Sequence, residues 1–378
     1  MFTRVLGRGP LARVPHKVYH QDSVLVNGGT QVPSIEEGIL VEGLQPIRHF
    51  ALANALFHFL ESGVQEALEE SGDADIKEFA DTLELDENRL CGLLAYLQKE
   101  GFVALTDYCH VNLTPSGRQL AVFRPWYQLI VGGYAESFRD LGRVLKDPTV
   151  YAPRDTFYVA RGSAGISEHD ALPMTRRLIK EAGRDPLTLV DIGCSTGSFL
   201  LALCRALPSL HGIGIDPDPR SIQLAQEGAA DRQLSTRVLF HVGDDRSVAS
   251  VLSEKGSQVC FLAAFVLQEI LEQRGQEGLL ALLRNQTQTF PKALWIIIEV
   301  DHRPQDAALF ASGLGLAYYN PYYLIHEITQ QRLESHEFWI ELFEEASLAL
   351  LTKVHPEHSY DSLDLKVGYL LATKSVIE

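Results

Sequence analysis

The chain reads as an α/β protein: a doubly wound, largely parallel sheet in its second half, preceded by a mainly helical N-terminal domain. Three observations predict this. Residues 187–199 are an apolar strand that breaks into the small-residue turn Gly193-Cys-Ser-Thr-Gly197 and restarts as a helix. Strand-like runs at 211–216, 236–242, 258–262 and 294–300 follow, the first of them separated by helical patterns, as a doubly wound sheet requires. Residues 43–117 carry helical periodicity and two short strands instead, which marks a separate domain.

Taken in order, residues 1–40 have no sustained periodicity, contain Gly28-Gly29 and Pro33, and read as an arm exchanged with a partner subunit. Residues 41–122 begin with an apolar stripe through Leu44, Ile47, Phe50, Ala51, Phe57 and Leu60 at three-to-four spacing. Helices follow over 75–83 and 86–97, the second with Asp86 as N-cap, then strands over 101–105 and 111–113. Helix, helix, hairpin predicts a winged helix. Its second helix offers Arg89 and Lys99 against Asp86, Glu87 and Glu100, so dimerisation is favoured over DNA binding. Residues 123–180 are linker helices contributing to the substrate pocket. Residues 181–378 form the catalytic domain, which closes with strands over 348–353 and 365–372.

Composition fits an enzyme of the cytoplasm. The 378 residues are 46% hydrophobic, enough for two cores, and no apolar run approaches the roughly twenty residues of a membrane span. The first residues lack the pattern of a signal peptide. Cysteines 91, 109, 194, 204 and 260 stand singly, without metal spacing, and read as reduced thiols. A net charge of −16 argues against nucleic acid as a partner.

The turn at 193–197 points to a nucleotide, because ligands of open α/β sheets bind at the carboxyl ends of strands. No Walker lysine follows Gly197, and a dinucleotide turn would need one more glycine. Asp216 ends the next strand, where an acid accepts hydrogen bonds from ribose hydroxyls, and Gly243-Asp-Asp245 ends the third. Acid-rich strand ends suit a cofactor that has a cationic centre and no phosphate.

These residues resemble the first three cofactor motifs of class I S-adenosylmethionine-dependent methyltransferases, which have a Rossmann-like seven-stranded sheet. The resemblance implies that Asp191, Gly193, Ser195 and Gly197 form the turn around the methionine part and that Asp216 holds the ribose. Asp244 or Asp245, after Gly243, would meet the adenine amino group, with Phe265 beside the cofactor. Ser195 stands where the family often has a glycine. The winged-helix segment is similar to the dimerisation domain of small-molecule O-methyltransferases, which implies a homodimer.

Methyl transfer needs a nucleophile held near attack distance, deprotonated if it is weak. Three clusters qualify: Gln268-Glu269, Glu299-Val-Asp-His-Arg303, and the aromatic run 318–323 that leads to His326. Gln268, Glu269 and His326 suggest an oxygen/nitrogen metal site suited to Fe(II) or Mn. Leu44-Gln-Pro-Ile-Arg-His-Phe50, Tyr158-Val-Ala-Arg-Gly-Ser163, Phe265-Val-Leu-Gln-Glu269 and Asn320-Pro-Tyr-Tyr-Leu-Ile-His326 resemble the C-methyltransferases that act on 2-oxo acids. That resemblance implies natural-product chemistry: methylation at C3 of a small 2-oxo acid, 2-ketoarginine-like, through a metal-stabilised enolate. Arg161 or Arg154 would pair with the substrate carboxylate, and Glu269, Asp301 or another acid with a guanidinium at the far end. Two alternatives stay open. One is O- or N-methylation of a small metabolite with His302 or His326 as base. The other is a regulator that senses the cofactor and binds DNA.

Overall fold

The computed structural model describes residues 35–106, 110–184, 187–252, 258–311 and 313–374. Most of the expected N-terminal arm, and Cys109, lie outside these. The chain divides into two units, the first ending at His49 and the second beginning at Phe50. The first unit contributes the opening half of α1 (Ile35–Glu61), on which Ile35, Ile39, Leu40, Leu44 and Ile47 are exposed.

In the second unit, α1 runs on into α2 (Val64–Ser71), β1 (Asp73–Asp75), α3 (Ile76–Thr82), α4 (Glu87–Lys99), β2 (Val103–Thr106) and β3 (His110–Leu113). Asp75 and Asp86 cap α3 and α4, accepting N–H groups of Lys77, Glu78 and Arg89 with their side chains. The strands form an antiparallel sheet ordered β1-β3-β2 over a core that includes Phe59, Leu68, Leu94 and Val111. Strand β1 carries no strand pattern in the sequence, since Asp-Ala-Asp has low β propensity; β3 supplies its pairing.

The segment expected as linker helices comprises α5 (Pro115–Gln119), α6 (Arg124–Tyr127), a π-helical turn at Gln128–Gly133, α7 (Tyr134–Val144), α8 (Thr156–Ser167) and α9 (Ala171–Ala182). α8 lies hard against the π turn. A Cβ on Gly162 would stand 2.5 Å from the backbone nitrogen of Leu129, and one on Gly132 would meet the Tyr158 ring.

The remaining chain alternates β4 (Thr188–Ile192), α10 (Ser198–Ala206), β5 (His211–Asp216), α11 (Pro219–Asp231), β6 (Val238–Val242), α12 (Val248–Leu252), β7 (Val259–Ala264), α13 (Leu267–Thr289) and β8 (Leu294–Val300). It ends with α14 (Asn320–Ile328), α15 (His336–Glu345), β9 (Leu348–Val354) and β10 (Lys366–Thr373). The seven strands are ordered β6-β5-β4-β7-β8-β10-β9, with β10 antiparallel to both neighbours. Side chains alternate between two cores: Leu189, Ile296 and Ile298 face one side, Val190, Trp295 and Ile297 the other. The order reverses between β4 and β7, so a crevice opens beyond their carboxyl ends, where the turn at 193–197 sits.

Candidate functional site

The crevice floor is set first by backbone. Gly193, Ser195 and Gly197 all have left-handed φ, at 75°, 50° and 69°. Glycine is required twice over at two of them. A Cβ on Gly193 would stand 2.7 Å from Val266 Cγ2, and one on Gly197 would stand 2.5 Å from Phe240 Cε1. Ser195 takes the same conformation with a side chain, at a cost of about 1 kcal/mol. Its N–H donates to Asp216 Oδ2 at 2.9 Å, which ties the turn to the end of β5. Gly193 and Cys194 donate to the Ile215 carbonyl. No side chain caps α10, so its first N–H groups face the crevice with the positive end of the helix dipole.

Four acids lie at the carboxyl ends of β4, β5 and β6. Asp191 is buried beneath the turn, and burial, with Asp216 adding, pushes its carboxyl up to about 8. Asp216 is also raised by burial, against the pull of N–H donors from Asp218 and Ser195. Gly243 follows β6, and its N–H donates to the Asp216 carbonyl. The two acids after it separate in role. Asp245 is buried and paired with Arg274 of α13 at 2.7 Å, so it is committed to holding that helix. Asp244 stays at the rim, paired at 2.6 Å with the exposed Arg246. Phe265 has φ 57°, unusual for an aromatic residue, and its N–H donates to the Ile298 carbonyl.

Across the crevice the surface is set by side chains. Glu299, 1% exposed on β8, accepts the N–H of Leu267 at the start of α13. Burial pushes its carboxyl up to about 8, and its second oxygen has no hydrogen-bond partner among the described residues. Gln268 is buried beside Tyr322; its Nε2 donates weakly to the Phe265 carbonyl, and its Oε1 has no partner by the same criterion. Glu269 pairs with Arg154 at 2.8 Å and accepts from Gln331 Nε2 at 3.2 Å. Tyr134 and Thr329 donate to Gln331 Oε1, closing the network.

His326, on α14, is buried with its ring 4.0 Å from that of Tyr322. Its Nδ1 lies 2.7 Å from the Tyr322 carbonyl, which can only accept, so Nδ1 carries the proton and Nε2 keeps a lone pair. Burial pushes this imidazole down to about 3. A polar cavity of about 260 Å³ opens beside it, lined also by Tyr151, Glu272, Glu327, Gln331 and Arg332.

Arg161 and Arg154, the two candidates for a substrate carboxylate, have different surroundings. Arg161 lies exposed on α8, 3.3 Å from Glu61, while Gly162 and Gly165 of the same helix pack against Leu129 and Pro125. Arg154 sits in a loop held by Ala152 N–H to the Ile328 carbonyl and Asp155 N–H to the Gly133 carbonyl, which delivers it to Glu269. Asp301 caps α15 through His336 N–H and pairs with Arg303, and His302 packs edge-on against Tyr323. Tyr134, Gln331 and Thr329 carried no sequence signal.

The metal set fits in part. Gln268 Oε1 and His326 Nε2 offer unclaimed lone pairs, but Glu269 already has Arg154 as its counter-charge. Among the described residues no three His, Cys, Asp or Glu side chains converge, so the amide of Gln268 would have to be the third donor.

Residues 184–272 match the family model of a methyltransferase domain. Over 343 residues the chain is 41% identical to 2-ketoarginine methyltransferase of Streptomyces arginensis, covering 89% of this chain and 96% of that one. Indolepyruvate C-methyltransferase of Streptomyces griseus is 28% identical over 231 residues, 60% of this chain and 66% of that protein. Among solved structures, an O-methyltransferase from neocarzinostatin biosynthesis, in complex with S-adenosyl-L-homocysteine and a dihydroxynaphthoic acid, superposes with TM-score 0.56 at 17% identity. It covers 85% of this chain and 96% of that one.

Proposed function

The chain belongs to the S-adenosylmethionine-dependent methyltransferases, in the family of 2-ketoarginine methyltransferase, and on that premise we propose that it methylates C3 of a small 2-oxo acid. The observation that carries this reading is the half-buried Arg154, held by Glu269 and the Gln331–Tyr134 network in the crevice wall. A guanidinium whose partner is a single exchangeable carboxylate is a seat for an anionic acceptor. The similarity to 2-ketoarginine methyltransferase and to indolepyruvate C-methyltransferase supports the same acceptor class.

On the cofactor side, Gly193 and Gly197 flank the methionine part, Asp216 accepts from the ribose, and Asp244 is left to meet the adenine amino group. S-adenosylmethionine supplies the electrophilic methyl when bound. On the acceptor side, Arg154 turns to the substrate carboxylate and Glu269 is released. The residues that would hold a divalent metal are then Gln268 through Oε1, Glu269, and His326 through Nε2. A metal held there would supply a Lewis acid for the keto oxygen, the charge sink that loss of the C3 proton needs. Burial keeps His326 neutral, the state a ligating imidazole requires.

The exposed apolar residues of α1 favour a second copy of the chain as partner. Among the described residues no helix is long and apolar enough to cross a membrane.

The test is incubation with labelled cofactor and a panel of 2-oxo acids, with the methyl located by mass spectrometry. A C3-methyl product that disappears on exhaustive chelation and returns with Fe(II) or Mn(II) is expected. Methyl found on oxygen or nitrogen overturns the carbon assignment, and turnover that survives chelation overturns the metal.

A further inference from the structure

At the end of the sheet away from the crevice, the amino ends of β4 and β5 meet the carboxyl end of α9, and a recess of about 240 Å³ opens there. Its apolar wall includes Leu187, Leu207 and Leu210, the first and last of them buried. Its charge comes from Arg176, Lys180 and Arg184. The chain as a whole carries 49 acids against 33 bases. A lining that holds these cations and, among the described residues, no carboxylate runs against that balance.

The plain account would be a solvated basic face that answers the dipole of α9. Only Lys180 lies in the last turn of that helix, where a cation meets the dipole. Arg176 stands one turn earlier on the same face, and like charges at that spacing repel. Neither has an anionic partner among the described residues; Glu181, next to Lys180 in sequence, is taken by Arg177 at 3.0 Å. Arg184 is held by a neutral group, its Nη1 donating to the Lys292 carbonyl at 2.7 Å, so its guanidinium is anchored without losing its charge. Carbonyls at the end of α10 and in the turn after it would repel an anion, but Arg237 claims them. It donates to Pro208 at 2.9 Å and to Cys204 and Leu210 at 3.0 Å. The recess therefore pairs an apolar wall with positive charge that nothing offsets. Its volume lies below the roughly 300–1,000 Å³ of drug-sized pockets, which limits it to a small molecule. Without a carboxylate in the lining to receive an ammonium, it does not suit a zwitterion.

We propose that this recess binds a small organic acid with an apolar body, its carboxylate among Arg176, Lys180 and Arg184 and its body against Leu187, Leu207 and Leu210. The whole length of β4, five residues or about 17 Å, separates it from the cofactor turn. It is a second anion seat, apart from Arg154, and a ligand held there touches none of the groups assigned to methyl transfer.

The probe is hexanoate carrying a terminal trifluoromethyl group, titrated into the full chain and followed by fluorine NMR, beside its neutral amide. The wild-type protein is expected to bind the acid at least about 10-fold tighter than the amide. Arg176 and Lys180 are exposed, so the double variant Arg176→Gln, Lys180→Gln leaves the core untouched. It is expected to lose about 10-fold or more on the acid and to stay within about 2-fold on the amide. Arg154→Gln, which removes the guanidinium of the crevice, should leave affinity for the acid within about 2-fold of wild type. Inorganic phosphate, a charge without an apolar body, should displace the acid only at a concentration about 10-fold higher or more. Equal binding of acid and amide by the wild type overturns the proposal. So does full affinity in the double variant, and a loss confined to Arg154→Gln places the acid in the crevice instead. Displacement by phosphate at equal concentration overturns the apolar body.

Discussion

Around the cofactor turn, the crevice is shaped by main chain: three left-handed residues, an uncapped helix end and one carboxylate anchored by Ser195 N–H. Across from it, the acceptor wall is shaped by side chains drawn from four places in the chain, Tyr134, Arg154, Glu269 and Gln331, each satisfied by another of the set. The first kind of surface tolerates almost no substitution at its glycines, since each forbidden Cβ meets packed atoms. The second can exchange partners, which a site must do if it is to release Glu269 and receive a substrate. In the proposed function, a cofactor common to many reactions meets the rigid half and a particular acceptor the adaptable half.

The largest expected effect on binding tests the rigid half. Gly197→Val places a β-branched side chain at φ 69° and against Phe240 and Ala225. Denaturant unfolding should show a loss of about 2–5 kcal/mol, and calorimetry a loss of S-adenosylmethionine affinity beyond about 100-fold. Ser195→Gly is the converse: the conformation is already left-handed, so relief of strain leaves binding unchanged and stability within about 1 kcal/mol. If Gly197→Val binds the cofactor normally, the main-chain account of this half is wrong.

The adaptable half predicts a smaller and differently distributed loss. Arg154→Lys keeps the charge but removes the planar fork, so kcat/KM for the 2-oxo acid should fall roughly 10- to 100-fold. Cofactor affinity should stay within about 2-fold. Arg161→Lys, changing an exposed pair with Glu61, should leave both within about 2-fold. Steady-state kinetics with parallel calorimetry separates them, and equal losses at the two arginines would put the acceptor seat elsewhere.

The same contrast explains what was legible. The cofactor turn lies within eight consecutive residues, and its requirements, small side chains and an acid at each strand end, are properties of residue type. The five parallel strands, β4 to β8, were legible because buried parallel strands are continuous apolar runs. The acceptor network was not, since Tyr134 follows a π-helical turn and Gln331 sits in a loop after α14, positions without period or motif. Telling Arg161 from Arg154 required seeing which carboxylate each meets, Glu61 at an exposed position or Glu269 in the crevice wall. Asp244 and Asp245 could be told apart only by seeing Arg274 reach Asp245 from a helix some thirty residues on.

Each half also hides one acid that burial holds near neutrality, Asp191 under the turn and Glu299 under the acceptor wall, both pushed up to about 8. Glu299 is given an N–H by Leu267; for Asp191 the causes are burial and the neighbouring Asp216 alone, so it is the cleaner probe. Its folded value lies above the ordinary 3.8, so its contribution to stability is fully present below about pH 4. From there to pH 8 the unfolded chain has given up the proton that the folded chain retains. Stability therefore falls with rising pH across that window and levels off above it. Asp191→Asn removes this slope, at the cost of burying an amide. At roughly 1.4 kcal/mol per unit of pKa difference, a variant matched to the wild type near pH 4 is expected to be more stable by about 5 kcal/mol at pH 8. Urea unfolding at the two pH values reads it directly. A stability difference that does not change between them means that Asp191 is ionised in the folded protein over the same range as in the unfolded chain, and that the turn tolerates two adjacent charges.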